Sequence, residues 1–357
     1  MPSRVTIFNH FGTAIAELNT TTTRSWILDG VGRCQFPLAT FTDPNCTRSI
    51  LQYGNFVVVQ HLPTRDEFGN VRGTLPPWVG VIMPPQEWDY GILTVTAYSA
   101  ENLLDFRPMP YVNIYGSAGT LFTQILDFAN ALPGFPISPG VIFTDSNFFT
   151  APLRLSAFQE ILNISKNATQ DWDVTFKVNT ANQLTLFANW YSQKGINVNA
   201  LFSEGKNGNM RLPRLTEQGR IANAAYGYNA SASAGARAQA YQTDPASIGD
   251  YGWLGDNQNY SVQGQGGIDA ANLSYVNLHS RPTITLELTA LDVGKTFDGL
   301  VTGNIWNVIL KSLGFFGGGI GFQGQARLVG IEYDDYVNEA RLTTQVLTKG
   351  LTAANYA

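Results

Sequence analysis

The stretch at residues 53–107 constrains the fold most, because it holds three short apolar runs separated by turns. Residues 56–59 form a continuous apolar run with three valines, long enough for a buried strand and too short for a helix. Residues 78–83 form a second run, and residues 93–98 alternate between apolar and polar side chains, as a half-buried strand does. We therefore predict an antiparallel meander that curls toward a small barrel. The stretch carries no motif for chemistry.

The segments before this meander also read as strands. Turn chemistry at Asp29-Gly30 and at Asp43-Pro44-Asn45 separates them. Residues 1–105 then hold about six short strands. Closing them into a barrel pairs the backbone N–H and C=O groups that would otherwise be free at the edge strands. We predict a first β-barrel domain at residues 1–109.

Residues 110–192 differ from the preceding strands in the spacing of their apolar residues, because two segments show helical spacing. They predict an α+β unit of the helix–strand–helix–strand–strand kind. Its main elements are helices at residues 120–132, with Thr120 as N-cap, and at residues 154–168, followed by strands at 172–178 and 183–190.

Strand signals return in residues 193–357, for which we predict a second β-barrel domain. Residues 229–266 are small, polar and glycine-rich, but the aromatic residues among them favour an ordered, irregular excursion over a linker. The remaining elements are a strand at 223–228, a short helix at 267–280 and strands at 283–291, 305–310, 325–333 and 340–347. The fold class is thus α+β, mainly β, with an α+β domain between two small antiparallel barrels.

The charge pattern argues against nucleic-acid recognition. The chain has 22 basic and 27 acidic residues, a net charge of −5 and no long basic run, whereas phosphate binding needs clustered Lys and Arg. Only 14% of residues are charged, which indicates either a neutral exterior or a surface covered by partners. The N-terminus lacks the pattern of a signal peptide and no apolar run approaches membrane-spanning length, so we expect a soluble, unsecreted protein.

Two cysteines, Cys34 and Cys46, lie 12 residues apart in the sequence. We interpret them as free thiols rather than a disulfide. With no neighbouring histidine they cannot build a tetrahedral zinc site.

The sequence shows no pattern of residues that is typical of a catalytic site. His10, His61 and His279 are far apart, and none accompanies a nucleophile motif. The sequence lacks HExxH, CxxC, P-loop and GxSxG motifs. We therefore predict no catalytic, cofactor-binding or metal-binding residues.

An acidic group near the C-terminus has two interpretations. Asp334 and Asp335, with Glu332 and Glu339, suit either a cation site or a solvated turn between two strands. We favour the solvated turn.

Two other sequence features are consistent with ligand binding, but each has a simpler structural explanation. The glycines at residues 314–324 resemble a phosphate loop in composition only, since strands flank them on both sides, and a hairpin tip is favoured. Trp253, Tyr251 and Tyr260 suit either an aromatic-lined sugar or peptide groove or a protein interface, and we favour the interface.

The order of these elements resembles that of phage tail hub proteins. In that family a Gly-x-x-V strand is followed by a W-x-G-x-I strand, and a closing strand leads into a Leu-Leu-x-x-Arg turn. The matching residues here are Gly54, Val57, Trp78, Gly80, Ile82, Leu103, Leu104 and Arg107. In the second half, residues 244–248 with Tyr251-Gly252, and the strand at 325–334, also resemble the family. At residues 300–324 the chain departs from it, with a longer and more apolar hairpin.

The resemblance implies a structural protein without enzymatic activity, located in the virion at the tail tip or baseplate and assembled in the host cytoplasm. It implies a homotrimer whose two barrels per chain make a pseudo-hexameric ring. Such a ring joins the sixfold tail tube to a threefold spike or fibre, with the distal tail protein and tape measure protein as further partners. DNA would cross its slightly acidic lumen without specific binding, and no integral membrane segment is involved.

Two other function classes stay open from the sequence. One is a tail-associated peptidase or cell-wall hydrolase, although the three units leave no room for a hydrolase domain. The other is a host-glycan-binding tail protein.

Overall fold

Two strands in the first half are buried on both faces, which explains their continuous apolar runs. A computed structural model describes residues 3–40, 42–62, 65, 69, 71–205, 208–229, 239–260, 265–310 and 322–347. In the strand at Phe56–Gln60, Val57 and Val59 face one core, while Phe56 and Val58 face another. The strand at Trp78–Ile82 is divided in the same way. The predicted strands of the meander are therefore confirmed.

The described residues form 22 strands and four α-helices, so the protein is mainly β. The first eleven strands are β1 (Ser3–Phe8), β2 (Ala14–Thr20), β3 (Thr23–Ile27), β4 (Arg33–Ala39), β5 (Phe56–Gln60), β6 (Trp78–Ile82), β7 (Glu87–Asp89), β8 (Ile92–Ser99), β9 (Val112–Gly116), β10 (Ile137–Ile142) and β11 (Phe149–Leu153). The others are β12 (Asp171–Val178), β13 (Leu184–Tyr191), β14 (Asn197–Ser203), β15 (Met210–Gln218), β16 (Ala224–Asn229), β17 (Gln239–Thr243), β18 (Gly255–Tyr260), β19 (Thr283–Ala290), β20 (Ile305–Leu310), β21 (Phe322–Asp334) and β22 (Glu339–Val346). The helices are α1 (Ala118–Asn130), α2 (Ala157–Ala168), α3 (Pro245–Tyr251) and α4 (Gln265–His279).

Strands from both halves of the chain lie in a single 14-stranded sheet. Its main path runs β15-β19-β22-β21-β3-β4-β8-β6-β5-β1-β2, with β20 and β14 branching from β21, and β7 from β8. The two halves join where β3 pairs antiparallel with β21, Arg24 opposite Tyr333 and Ser25 opposite Glu332. Within the described residues this path is open at β15 and β2 and closes no barrel.

The sheet curls over two hydrophobic cores, and a third core packs against the other face of β5 and β6. The first core lies under β1, β2, β4, β5, β6 and β8 and includes Val5, Phe36 and Val95. The second core lies under β14, β15 and β19–β22 and includes Leu286 and Leu328. The indole of Trp26, on β3, packs against both cores, so it lies at the boundary between the two curls.

Residues 110–192 carry α1, α2 and a three-stranded sheet in the order β10-β13-β12. The predicted apolar face of α1 is confirmed, since Leu121, Phe122 and Ile125 are fully buried. The predicted N-cap Thr120 is wrong. Ser117 takes that position, and its hydroxyl accepts a hydrogen bond from the Thr120 backbone N at 3.3 Å.

The second helix begins three residues later than predicted, at Ala157 rather than Arg154. The buried carboxylate of Glu160 accepts hydrogen bonds from the backbone N of Arg154 at 2.7 Å and of Leu155 at 2.9 Å. These bonds hold both residues outside the helix, and Leu155 is 51% exposed.

The excursion predicted at 229–266 is ordered over residues 239–260, while 230–238 and 261–264 lie outside the described residues. The strand β16 pairs with β17 on one side and β18 on the other. Helix α4, predicted at 267–280 and confirmed, packs on this small sheet, where Asn272 Nδ2 donates to the Ala225 carbonyl at 2.9 Å.

The predicted strands at 283–291, 305–310, 325–333 and 340–347 are confirmed as β19–β22. Residues 311–321, most of the predicted glycine-rich hairpin tip, lie outside the described residues. None of the described helices has the length and apolar character needed to cross a membrane.

Candidate functional site

The sheet has one continuous polar face, opposite the two cores, across β4, β3, β21, β22, β19 and β15. Directly opposed residues of antiparallel strands point to the same side, so the strand registers place these residues on one surface. We call this surface the outer face. It includes Arg33, Gln35, Thr23, Ser25, Gly330, Glu332, Asp334, Glu339, Arg341, Thr343, Gln345, Thr285, Glu287, Thr289, Arg211 and Arg214.

Charges on the outer face are interspersed in sign. Glu332 lies directly opposite Arg341, and Arg214 Nη1 lies 3.9 Å from Glu287 Oε2. The other positions are mostly Thr, Ser and Gln. A shallow depression of about 370 Å³ lies where β3, β4, β21 and β22 meet. Because its basic residues are not clustered, the face suits weak, non-specific contact with a polyanion rather than tight binding.

A buried ion pair lies beneath the outer face at the joint between the two halves. Arg24 Nη1 is 3.2 Å from Asp335 Oδ2, and the two side chains are 0% and 1% exposed. The same Asp335 oxygen accepts from the backbone N of Thr22 at 2.8 Å, and Arg24 Nη1 donates to Ser3 Oγ at 2.9 Å. These contacts fix the chain at the start of β3 against the end of β21.

This pair corrects the interpretation of the acidic group. The turn between β21 and β22 exists, and Glu332 is exposed, but Asp335 is buried and is not part of a solvated turn. Its partner is 311 residues away in sequence. No local pattern could have indicated the contact.

The histidines do not come together. The rings of His10, His61 and His279 pack against Phe11, Tyr333 and Tyr275, respectively. Burial lowers the pKa of His61 to about 4.

The cysteines are both free thiols, as predicted. Cys34 is fully buried in the first core, and this burial raises its thiol pKa to about 12. That pKa leaves almost no nucleophilic thiolate at neutral pH.

A second polar junction joins the unit at residues 110–192, which we call the insert, to both halves of the sheet. Arg327, on β21, forms a salt bridge with Asp171, on β12, which also accepts from the backbone N of Lys194 at 2.6 Å. Asp29, in the turn after β3, accepts from the backbone N of Trp172 at 2.7 Å. Burial, together with the negative charge of Asp171, raises the pKa of Asp29 to about 7.

The charged groups of these two junctions contact other parts of the same chain. Across the part of the chain that the structure describes, no three His, Cys, Asp or Glu side chains are grouped so as to hold a metal ion. The buried carboxylates of Asp171 and Asp335 are occupied by arginines and backbone N–H groups. The arrangement joins segments of the chain and presents a broad polar surface.

Solved structures show where this architecture recurs. A tail protein from Neisseria meningitidis MC58 is 12% identical, with a TM-score of 0.58 over 97% of this chain and 96% of that chain. The 43 kDa tail protein of prophage MuSo2 from Shewanella oneidensis is 11% identical, with a TM-score of 0.56 over 97% and 98%. The chain has the fold of phage tail proteins.

A third tail-protein structure, prophage tail protein gp18 from Listeria monocytogenes EGD-e, is 13% identical with a TM-score of 0.56 and covers 98% of this chain and 95% of its own. The tail-protein fold thus extends over nearly the whole of each chain, including the insert. No family model matches the sequence, and a search of curated proteins finds no match. The likeness lies in the arrangement of the strands rather than in residue identity.

Proposed function

We propose that this chain is the structural hub of a phage tail, or of a related tail-like injection machine, and has no enzymatic activity. The observation that supports this most directly is the outer face, which both halves of the chain build within one sheet. A catalytic site concentrates its chemistry in a cleft, whereas a wall needs a broad surface of one character. The tail-protein fold of the whole chain supports the same assignment.

The hub is a homotrimer on this proposal. The units at 1–109 and 193–357 are two tube-type domains, each curled over its own core, and 110–192 is the domain inserted between them. Three chains then place six similar units around an axis, which matches a sixfold tube above and a threefold spike or fibre below. The ring resides at the tail tip of the virion and contacts the distal tail, tail tube and tape measure proteins.

The outer face forms the wall of the DNA ejection channel in this arrangement. Since its arginines are interspersed with glutamates and neutral residues, it lacks the basic cluster that would retain DNA. DNA crosses such a wall without specific binding.

Mass measurement in solution and negative-stain imaging test the oligomer. Particles with the mass of three chains and a central opening support the hub, whereas a stable monomer at micromolar concentration overturns it. To test the wall, Thr343→Cys in a Cys46→Ala background can be labelled with maleimide gold. Gold at the rim of the opening supports the channel wall, and gold on the outside of the ring excludes it.

The hydrolase alternative has a separate test. Purified protein incubated with peptidoglycan is expected to release no soluble fragments. Steady release would overturn the structural assignment.

A further inference from the structure

A second surface, distinct from the outer face, carries exposed aromatic side chains. The small sheet β17-β16-β18 packs one side on α4 through Ala240, Ile268 and Ala271. On its other side, Tyr226 and Tyr241 are 55% and 45% exposed. Trp253, just before β18, is 58% exposed.

The three rings pack against one another in one cluster. Tyr226 lies directly opposite Tyr241 on the neighbouring strand, with ring centroids 4.5 Å apart and planes 33° apart. The Tyr241 and Trp253 planes differ by 24°, with centroids 6.3 Å apart. Gly255 lets the indole approach the strand, since a Cβ there would lie only 3.2 Å from Trp253 Nε1. The fold therefore packs the three rings, each about half exposed, in one stacked cluster at the surface.

Among the residues of these strands that the structure describes, uncharged side chains surround the rings. The registers place Asn257 opposite Tyr226, and both Asn259 and Gln239 opposite Tyr228, and all three amides are exposed. The outward positions of the three strands are Ala224, Tyr226, Tyr228, Gln239, Tyr241, Thr243, Gly255, Asn257 and Asn259. None of these positions carries Asp, Glu, Lys, Arg or His. The acidic residue of β18, Asp256, lies on the other side, where it accepts from Tyr275 Oη at 2.6 Å.

We propose that this aromatic face binds a neutral polysaccharide. Aromatic faces are electron-rich and attract the weakly positive C–H edges of a sugar ring, and amide groups both donate to and accept from sugar hydroxyls. A face without charge complements an uncharged polyol and gives no attraction for an acidic or basic polymer. This activity goes beyond the proposed hub and does not depend on it.

Isothermal titration of the intact protein with maltohexaose, cellohexaose and chitohexaose tests the site, with polygalacturonate as the charged polymer. We expect saturable binding of at least one neutral hexasaccharide and none of polygalacturonate. Trp253→Ala and Tyr241→Ala should each weaken that binding by about two- to tenfold, in line with the energy of aromatic contacts. Trp88→Ala is the matched control, because Trp88 is 70% exposed on the hairpin of β7 and β8, and it should bind like the wild type.

Three results would overturn the proposal. The first is the absence of saturable binding to any of the three hexasaccharides, and the second is equal binding by the wild type and Trp253→Ala. The third is a loss of oligomer mass in Trp253→Ala, which would identify the face as a contact between copies of this chain. Because the mass is measured on the same samples, failure of the glycan site can be distinguished from failure of the trimeric hub.

Discussion

Arg24 and Asp335 form a fully buried ion pair, 3.2 Å apart, at the point where the two halves of the sheet meet. Arg24 also stacks on the ring of Tyr333, with its guanidinium carbon 4.9 Å from the ring centroid. Two strands that are distant in sequence thus meet through a charge pair as well as through backbone hydrogen bonds. A single substitution at this joint should therefore destabilise both halves of the sheet.

We expect Arg24→Met to lower the free energy of unfolding by about 3–5 kcal/mol, because it leaves the carboxylate of Asp335 buried without its partner. Urea unfolding followed by circular dichroism measures the change. The matched control is Arg4→Met, since Arg4 pairs with Glu17 at 2.6 Å but both side chains are about half exposed. That substitution should cost no more than about 1 kcal/mol.

The double variant Arg24→Met, Asp335→Leu distinguishes the contribution of the ion pair to stability from that of side-chain packing. Its cost should be smaller than the sum of the two single costs, because no unpaired charge stays buried. Equal costs for Arg24→Met and Arg4→Met would contradict the importance of the joint.

Asp29 gives a prediction for pH dependence. Its folded-state pKa of about 7 lies above the ordinary value of 3.8, so the folded protein binds more protons than the unfolded chain between these values. The contribution of Asp29 to stability therefore falls as pH rises from about 4 to about 7. Asp171 and Arg327 are the charged groups that act on it most directly.

Asp29→Asn should remove this fall, because the amide is neutral and its oxygen can still accept from the backbone N of Trp172. Thermal melts from pH 4 to pH 8 should show the variant more stable than the wild type at pH 8 and similar at pH 4. Asp89→Asn, which removes an exposed carboxylate, controls for the loss of one negative charge. Parallel profiles for wild type and Asp29→Asn would contradict the prediction.

The sequence was most informative where local pattern and burial coincide. β5 and β6 are apolar at successive positions because cores lie on both of their faces. The apolar spacing of α1 likewise reports its buried side directly. Such elements are encoded in neighbouring residues and could be predicted.

Contacts between distant segments could not be predicted in this way. The pairing of β3 with β21 joins residues about 300 positions apart and depends on tertiary packing rather than on propensity. From the sequence, Asp335 is interpreted as a residue of a solvated turn. Its partner Arg24 is too distant in the sequence to be recognised from neighbouring residues. Ser117 and Thr120 are both good capping residues, and only the backbone geometry decides between them.

Gly80 tests the packing of the first core. A Cβ at this position would lie 2.2 Å from both Trp78 Cη2 and the Tyr98 carbonyl oxygen, so the indole of Trp78 lies over the glycine. Gly80→Ala should lower the free energy of unfolding by about 1–3 kcal/mol or more, because the core is overpacked. Guanidinium unfolding measures it.

Gly249→Ala is the corresponding control in α3. A Cβ there meets no atom within 4 Å, and alanine favours a helix over glycine by up to about 1 kcal/mol. This variant should be neutral or more stable. A neutral Gly80→Ala would show that Trp78 can move aside without cost.

The two thiols should differ in reactivity. Cys34 is fully buried, and burial raises its pKa to about 12, whereas Cys46 is only half-buried. With the disulfide reagent DTNB at pH 8, one thiol should react in the folded protein, and Cys46→Ala should abolish that reaction. In urea both thiols should react, because unfolding exposes Cys34 and returns its pKa toward the ordinary value. Urea-denatured wild type with no reactive thiol would indicate a disulfide and contradict the free cysteines. Rapid reaction of Cys34 in folded Cys46→Ala would contradict its burial in the first core.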